Sequence, residues 1–234
     1  MTGAIGLGSA AGSQPLAVLV VLGVLSALPF LLLMLTSFVK VAVVLAILRS
    51  AFGAAQVPPG QVVTGLALVL TVFIMAPTGE RVWEAVRPIW SEAGEGARAE
   101  LLSAEGLGVL ERAGAAAAEP VRGFLEKHAA GRDRETFLQL RRRLRGGEVD
   151  AAEGRELLVL APAFAVSELR RAFEMGFLIF VPFLVVDLVV ASLLTALGFQ
   201  ALTPTLVSLP LKLLLFALAD GWNLVLRGLV ASYV

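Results

Sequence analysis

Polar and apolar positions divide this chain into three long uncharged stretches and one densely charged block. No Lys, Arg, Asp or Glu occurs between Gln14 and Val39, between Ser50 and Gly79, or between Leu188 and Leu211. A membrane-spanning helix needs about 20 mostly apolar residues, and each stretch is long enough. Residues 15–48 are uncharged except for Lys40 and mostly apolar. As one straight helix they would reach roughly 50 Å at about 1.5 Å per residue, well beyond a hydrocarbon core of about 30 Å. Pro29 is therefore expected to kink or interrupt that helix. The segment from Ala51 to Gly60 holds two glycines and the adjacent pair Pro58 and Pro59, which reads as a turn. A second apolar helix is expected over about 61–77, ending at Pro77-Thr78-Gly79.

The pattern changes at Glu80. From Glu80 to Glu156 there are 13 Lys/Arg and 15 Asp/Glu, 28 of the 38 such residues in the chain, so this block belongs in water. Ala/Gly-rich linkers (Gly94–Gly96 and Gly114–Ala118) separate its amphipathic pieces. Phe137, Leu140 and Leu144 recur at i, i+3 and i+7 and predict one apolar helix face, with Arg141–Arg143 on the solvated side. The apolar pattern resumes at Leu157. Ser167–Glu174 reads as an amphipathic lead-in to a helix running from Met175 to about Leu197, which must contain Asp187. After a turn at Gly198–Pro204, a fourth helix over about 205–230 carries Pro210, Lys212 and Asp220.

The fold class is thus an all-α membrane protein, two helical hairpins separated by a soluble helical insertion. The expected segments are a tail (1–14), a first apolar hairpin (15–79), the insertion (80–156) and a second apolar hairpin (157–234). Each apolar segment contains a proline (Pro29, Pro77, Pro182, Pro210). That fits helices packed in a larger assembly, and equally ordinary kinks in membrane helices. The N-terminal run lacks the basic n-region of a secretory signal, so it reads as a retained helix. With Arg49 beside the first tip, positive-inside logic favours cytoplasmic tips and a periplasmic insertion.

Composition narrows the function. The chain is 58% hydrophobic against about 45–50% in soluble domains, and its mean hydropathy is +0.85. Zero net charge suggests no nucleic-acid partner. With no cysteine there is no disulfide or thiolate metal site. The single histidine, His128, falls in the charged block and reads as an exposed surface residue. Dinucleotide, phosphate-loop, zinc-protease and nucleophile-elbow motifs are all missing from the sequence. No catalytic, cofactor-binding or metal-binding residues are expected, and the chain does not read as an enzyme.

Four charges stand inside or at the ends of apolar helices: Lys40, Asp187, Lys212 and Asp220. Such a charge at mid-bilayer costs at least about 2.5–3.5 kcal/mol and normally faces a bundle interior or an aqueous cavity. The four could line a polar seam. They could instead form ion pairs, either within the chain to fix helix register, Asp187 with Lys212 or Lys40 with Asp220, or between subunits. The second tip, Phe199-Gln200-Ala201-Leu202, is short and mostly apolar. Around a symmetry axis such tips could make a closing ring, and alone they make a turn at a membrane interface.

Two long runs resemble a known family. The first comprises Thr36-Ser37-Phe38-Val39-Lys40-Val41, Leu48-Arg49-Ser50-Ala51-Phe52-Gly53, Gln56-Val57-Pro58-Pro59 and Gly65 through Pro77. The second comprises Pro162-Ala163-Phe164, Ser167-Glu168-Leu169, Gly176-Phe177-Leu178-Ile179, Pro182-Phe183-Leu184, Asp187 through Ser192, Ser208-Leu209-Pro210-Leu211-Lys212 and Asp220-Gly221-Trp222-Asn223. Together they are similar to the FliP/SctR (YscR-like) family, core export-apparatus proteins of flagellar and injectisome type III secretion. Val39-Lys40 and the Gln-Val-Pro-Pro tip resemble the injectisome branch.

The resemblance implies a homo-oligomer, pentameric in characterised members, in the bacterial inner membrane. It implies assembly with other export-gate membrane subunits into a closed helical cone through which unfolded protein substrates leave the cytoplasm. Family members sit largely above the bilayer plane, and other subunits supply the driving force. A methionine-rich loop at the second tip often forms the pore gasket. Here Phe199, Gln200, Ala201 and Leu202 occupy that place with no methionine, and Gly60 stands where asparagine is usual. Two other readings of the residues remain: an ion-coupled small-molecule transporter, and a membrane-anchored scaffold whose insertion does the work.

Overall fold

The computed structural model describes residues 23, 26–27, 29–53, 58–94, 103–146, 156–199 and 201–234. The 1–14 tail, Gln56 and Val57 of the first tip, and Gln200 of the second lie outside the described residues, as does most of the start of the first apolar run. Every described element is a helix: α1 (Phe38–Ala51), α2 (Gly60–Glu92), α3 (Ala104–His128), α4 (Gly131–Arg145), α5 (Leu157–Ala196), α6 (Pro204–Leu218) and α7 (Gly221–Ala231). Two of them, α2 and α5, are long and apolar enough to cross a membrane. The pair α6 and α7, bent by 62°, could count as a third span. The fold is that of an all-α membrane protein.

Several boundaries differ from the sequence expectation. Pro29 is helical, and the interruption in the first apolar run falls instead at Leu35–Ser37. There the Thr36 hydroxyl takes a hydrogen bond from the Phe38 amide at 3.4 Å, offering the backbone an alternative to a helical bond. The second helix does not end at Pro77-Thr78-Gly79 but runs on through Pro77 and Pro88 to Glu92. Each proline removes only one ladder bond, so a long helix survives it. Likewise α5 is one helix of 40 residues, absorbing Pro162, Pro182 and the whole Ser167–Glu174 segment. The expected fourth helix is two: Ala219 and Asp220 break it.

The chain folds as two compact units, one formed by residues 1–35 and 77–127, the other by 36–76 and 128–234. In the first, Ala93 and Val109 are buried with Ile89 packed against them. The second holds the principal core. Val41, Val44, Leu45 and Leu48 of α1 meet Ala172 and Phe183 of α5, Val63 and Ala67 of α2, and Val225 and Leu229 of α7. The most extensive partner of α1 is α5, with α4 and α6 also laid against α5. Phe52 packs edge-on against both Phe183 and Phe216 at 5.2 and 5.3 Å between centroids, an arrangement aromatic quadrupoles favour.

Helix α4 corrects a further expectation. Leu140 and Leu144 are exposed, Leu144 at 88%, so Phe137, Leu140 and Leu144 do not form a buried face. The residue that α4 buries is Asp133.

Candidate functional site

Three polar clusters sit in the second unit, all built around α5. The first is centred on Lys40, which is fully buried on α1. Its ammonium lies 3.1 Å from the Glu168 carboxylate of α5, also fully buried, and 3.5 Å from the centroid of the Tyr233 ring. Glu168 accepts two further bonds, from Arg171 at 3.0 Å and from the Tyr233 hydroxyl. Arg171 also donates to the His128 carbonyl at 2.9 Å, and the His128 ring meets Tyr233 edge-on at 5.1 Å. A buried ion pair is tolerated where further hydrogen bonds satisfy the remaining lone pairs and protons, and this one has them. The expected Lys40–Asp220 pair does not form. Asp220 is exposed at the α6–α7 break, where its carboxylate takes a bond from the Asn223 amide at 2.8 Å. Nor is His128 an exposed residue: only 7% of it is accessible.

The second cluster is the expected pair of Asp187 and Lys212. Lys212 on α6 donates to the Asp187 carboxylate of α5 at 2.6 Å and to the Ala51 carbonyl of α1 at 2.9 Å. Ser208 donates to the other Asp187 oxygen at 2.6 Å. The ammonium thus caps the C-terminal end of α1, where unsatisfied carbonyls and the helix dipole favour a cation. Its approach depends on Gly53 (φ 75°), where a Cβ would stand 3.4 Å from the lysine nitrogen and 3.0 Å from the Thr205 methyl.

The third cluster docks α4 on α5. Ala130, the N-cap of α4, has no side-chain acceptor of its own. Its amide donates to the Ser167 hydroxyl at 2.9 Å, and that hydroxyl in turn lies 2.7 Å from the Asp133 carboxylate. The Ser167 hydroxyl of α5 thus supplies, from a neighbouring helix, the side-chain acceptor for the N-cap amide of α4. Arg170 pairs with the same carboxylate. Burial acts to raise the Asp133 carboxyl, but the Ser167 hydroxyl and the Arg170 guanidinium outweigh it and hold it below the usual carboxylate range. A lowered folded value means the contribution is complete above the unfolded value of about 3.9 and fades as pH falls through the folded one. The gap in unfolding midpoint between the native protein and Asp133→Asn should be constant above about pH 5 and close below about pH 4. Thermal unfolding across that range checks it, and a gap that widens on acidification contradicts it.

The tips are placed differently. Pro59 is exposed and Pro58 half-buried. At the second tip, α5 ends in paired bonds from Phe199 to the Leu194 carbonyl and from Gly198 to the Thr195 carbonyl, the Schellman pattern. Ala201 is exposed, and Phe199 and Leu202 are each about half exposed. No group of three metal-ligating side chains occurs among the described residues.

These features define an all-helical membrane protein whose helices are joined by charge pairs held largely inside the fold. The chain belongs to the FliP family, whose pattern matches residues 21–229. It is 39% identical over 216 residues to the Yop proteins translocation protein R of Yersinia pestis, covering 92% of this chain and 94% of that one. It is 41% identical to Pathogenicity-related ORF2 of Xanthomonas campestris pv. glycines, covering 95% and 97%. It is 42% identical to the flagellar biosynthetic protein FliP of Caulobacter vibrioides, covering 98% and 81%.

Proposed function

We propose that this protein is a component of a type III secretion apparatus, and within it a core subunit of the export gate through which unfolded proteins leave the cytoplasm. The observation that carries the reading, beside family membership, is the contrast between its two kinds of surface. Charges that an isolated membrane helix could not bury are paired inside the second unit. Meanwhile the apolar flanks of the long helices, including Val69, Val72 and Phe73 of α2 and Phe177, Leu178 and Leu188 of α5, stand open. Open apolar area on this scale needs lipid or neighbouring chains. A homo-oligomer, pentameric as in the family, joined by other export-gate subunits in the bacterial inner membrane, covers it.

In that assembly the 80–156 insertion is periplasmic, and Phe199, Ala201 and Leu202 with Gln200 form the apolar ring that closes the pore. The Val39-Lys40 pair and the Pro58-Pro59 tip favour an injectisome. The native mass of the detergent-extracted protein, alone and co-expressed with its neighbouring membrane subunits, tests the proposal. A discrete ring growing by defined increments is expected. A monomer or dimer indifferent to partners, or ion-coupled uptake by the isolated protein, overturns it.

A further inference from the structure

Helix α7 is attached to the rest of its unit in an unusual way. It leaves α6 through Asp220, which among the described residues is the one non-glycine with positive φ (49°, ψ 48°). Few residues with a Cβ adopt that left-handed conformation, aspartate more readily than most, and the chain bends by 62° across it. The turn is close-packed: a Cβ on Gly221 would stand 2.2 Å from the Phe216 ring. Beyond the turn, the crook between α5, α6 and α7 is not filled. A half-open apolar groove of about 350 Å³ remains there, lined by residues such as Ile179, Phe183, Phe216 and Val225. The backbone of α7 approaches α6 most closely, and the helix is tied to the core of its unit through the side chains of Val225 and Leu229. At its far end, however, Tyr233 is 8% exposed, bonded to Glu168, with the Lys40 ammonium over its ring and the His128 ring edge-on to it.

We propose that α7 is a hinged arm: Asp220 is its pivot, and Tyr233 is the positioning residue that latches it shut on the Lys40–Glu168 pair. The latch is a hydrogen bond to a buried charge reinforced by a cation–π contact, both strong for their kind in a desolvated site. Opening the arm withdraws the phenol from Glu168 and widens the apolar crook. This inference stands on the geometry of the second unit and is independent of the export-gate reading.

The chain has no cysteine, so paired nitroxide labels can be placed without removing native thiols. One pair joins α7 to α5 at exposed positions, Leu224→Cys with Leu193→Cys. A control pair joins α4 to α5 at Leu144→Cys with Leu158→Cys. Distances are read by pulsed electron paramagnetic resonance on detergent-extracted protein, the labelled chain being diluted with unlabelled chain. With Tyr233 present, the α5–α7 pair should give one narrow distribution. Tyr233→Ala should raise a second, displaced population about tenfold or more, as loss of a buried charge-assisted hydrogen bond allows, and leave the α4–α5 pair unchanged. Tyr233→Phe, which keeps the ring over Lys40, should open the arm less. An α5–α7 distribution identical in all three proteins overturns the proposal. So does a broadening of both pairs together, which would make Tyr233 a residue of general stability.

Discussion

Replacing Glu168 by alanine should be among the most damaging single changes in this protein, costing about 3–5 kcal/mol and abolishing export. The magnitude is that of removing one partner from a buried pair and leaving the other charge uncompensated. Lys40 would keep only the face of the Tyr233 ring, while Arg171 and Tyr233 would lose their shared acceptor. Removing both charges is a different experiment. Lys40→Met with Glu168→Gln deletes the pair but retains an amide oxygen for Arg171 and Tyr233. Buried pairs replaced together are often neutral in stability, so the double variant should recover most of the unfolding midpoint in detergent. A single variant as stable as the native protein would show that Lys40 has another counter-charge. A double variant no better than the single would show that the loss is one of packing.

The second large effect is at Asp187. Alanine there leaves Lys212, whose side chain is 2% exposed, without its carboxylate. Because the aspartate side chain is itself 37% exposed, water softens the loss, and about 2–3 kcal/mol is expected, short of the fully buried case. The informative variant is the swap Asp187→Lys with Lys212→Asp. If the pair were a simple exchange of charge, the swap would restore export. It should fail, because position 212 must also donate to the Ala51 carbonyl, and an ionised aspartate donates nothing. Restored secretion by the swapped protein would remove that carbonyl from the account.

The Asp187–Lys212 pair was legible in the sequence because both residues interrupt apolar runs, where a charge has no solvated alternative. Glu168 was not, since Arg170, Arg171 and Glu174 beside it give the segment the look of a solvated face. Only the packing of α1 on α5 makes position 168 an inside position. For the same reason the pattern alone points Lys40 toward Asp220, the other carboxylate inside an apolar run, and not toward Glu168. His128 and Tyr233 carry little signal individually, and their burial follows from a contact 105 residues apart in sequence, by their numbers. Proline and glycine are poor markers of the helix ends here. Pro77 and Pro182 are absorbed, whereas the α6–α7 break falls at Ala219-Asp220, a single charged residue followed by Gly221 between two apolar runs. The all-helical membrane class was readable because it rests on length and hydropathy alone.

The wide sequence separation of the buried ties has a consequence for biosynthesis. Glu168 follows Lys40 by 128 residues, which at about 5–20 residues per second is a delay of roughly 6–25 s. The Ala51 carbonyl waits longer, since Lys212 comes 161 residues later. During that interval the first apolar segment emerges from the ribosome holding a lysine whose native counter-ion has not yet been made. Tyr233 is made 65 residues after Glu168. A nascent chain stalled before position 168 therefore carries Lys40 without its counter-ion, and the Lys40 site is complete only once position 233 has been made.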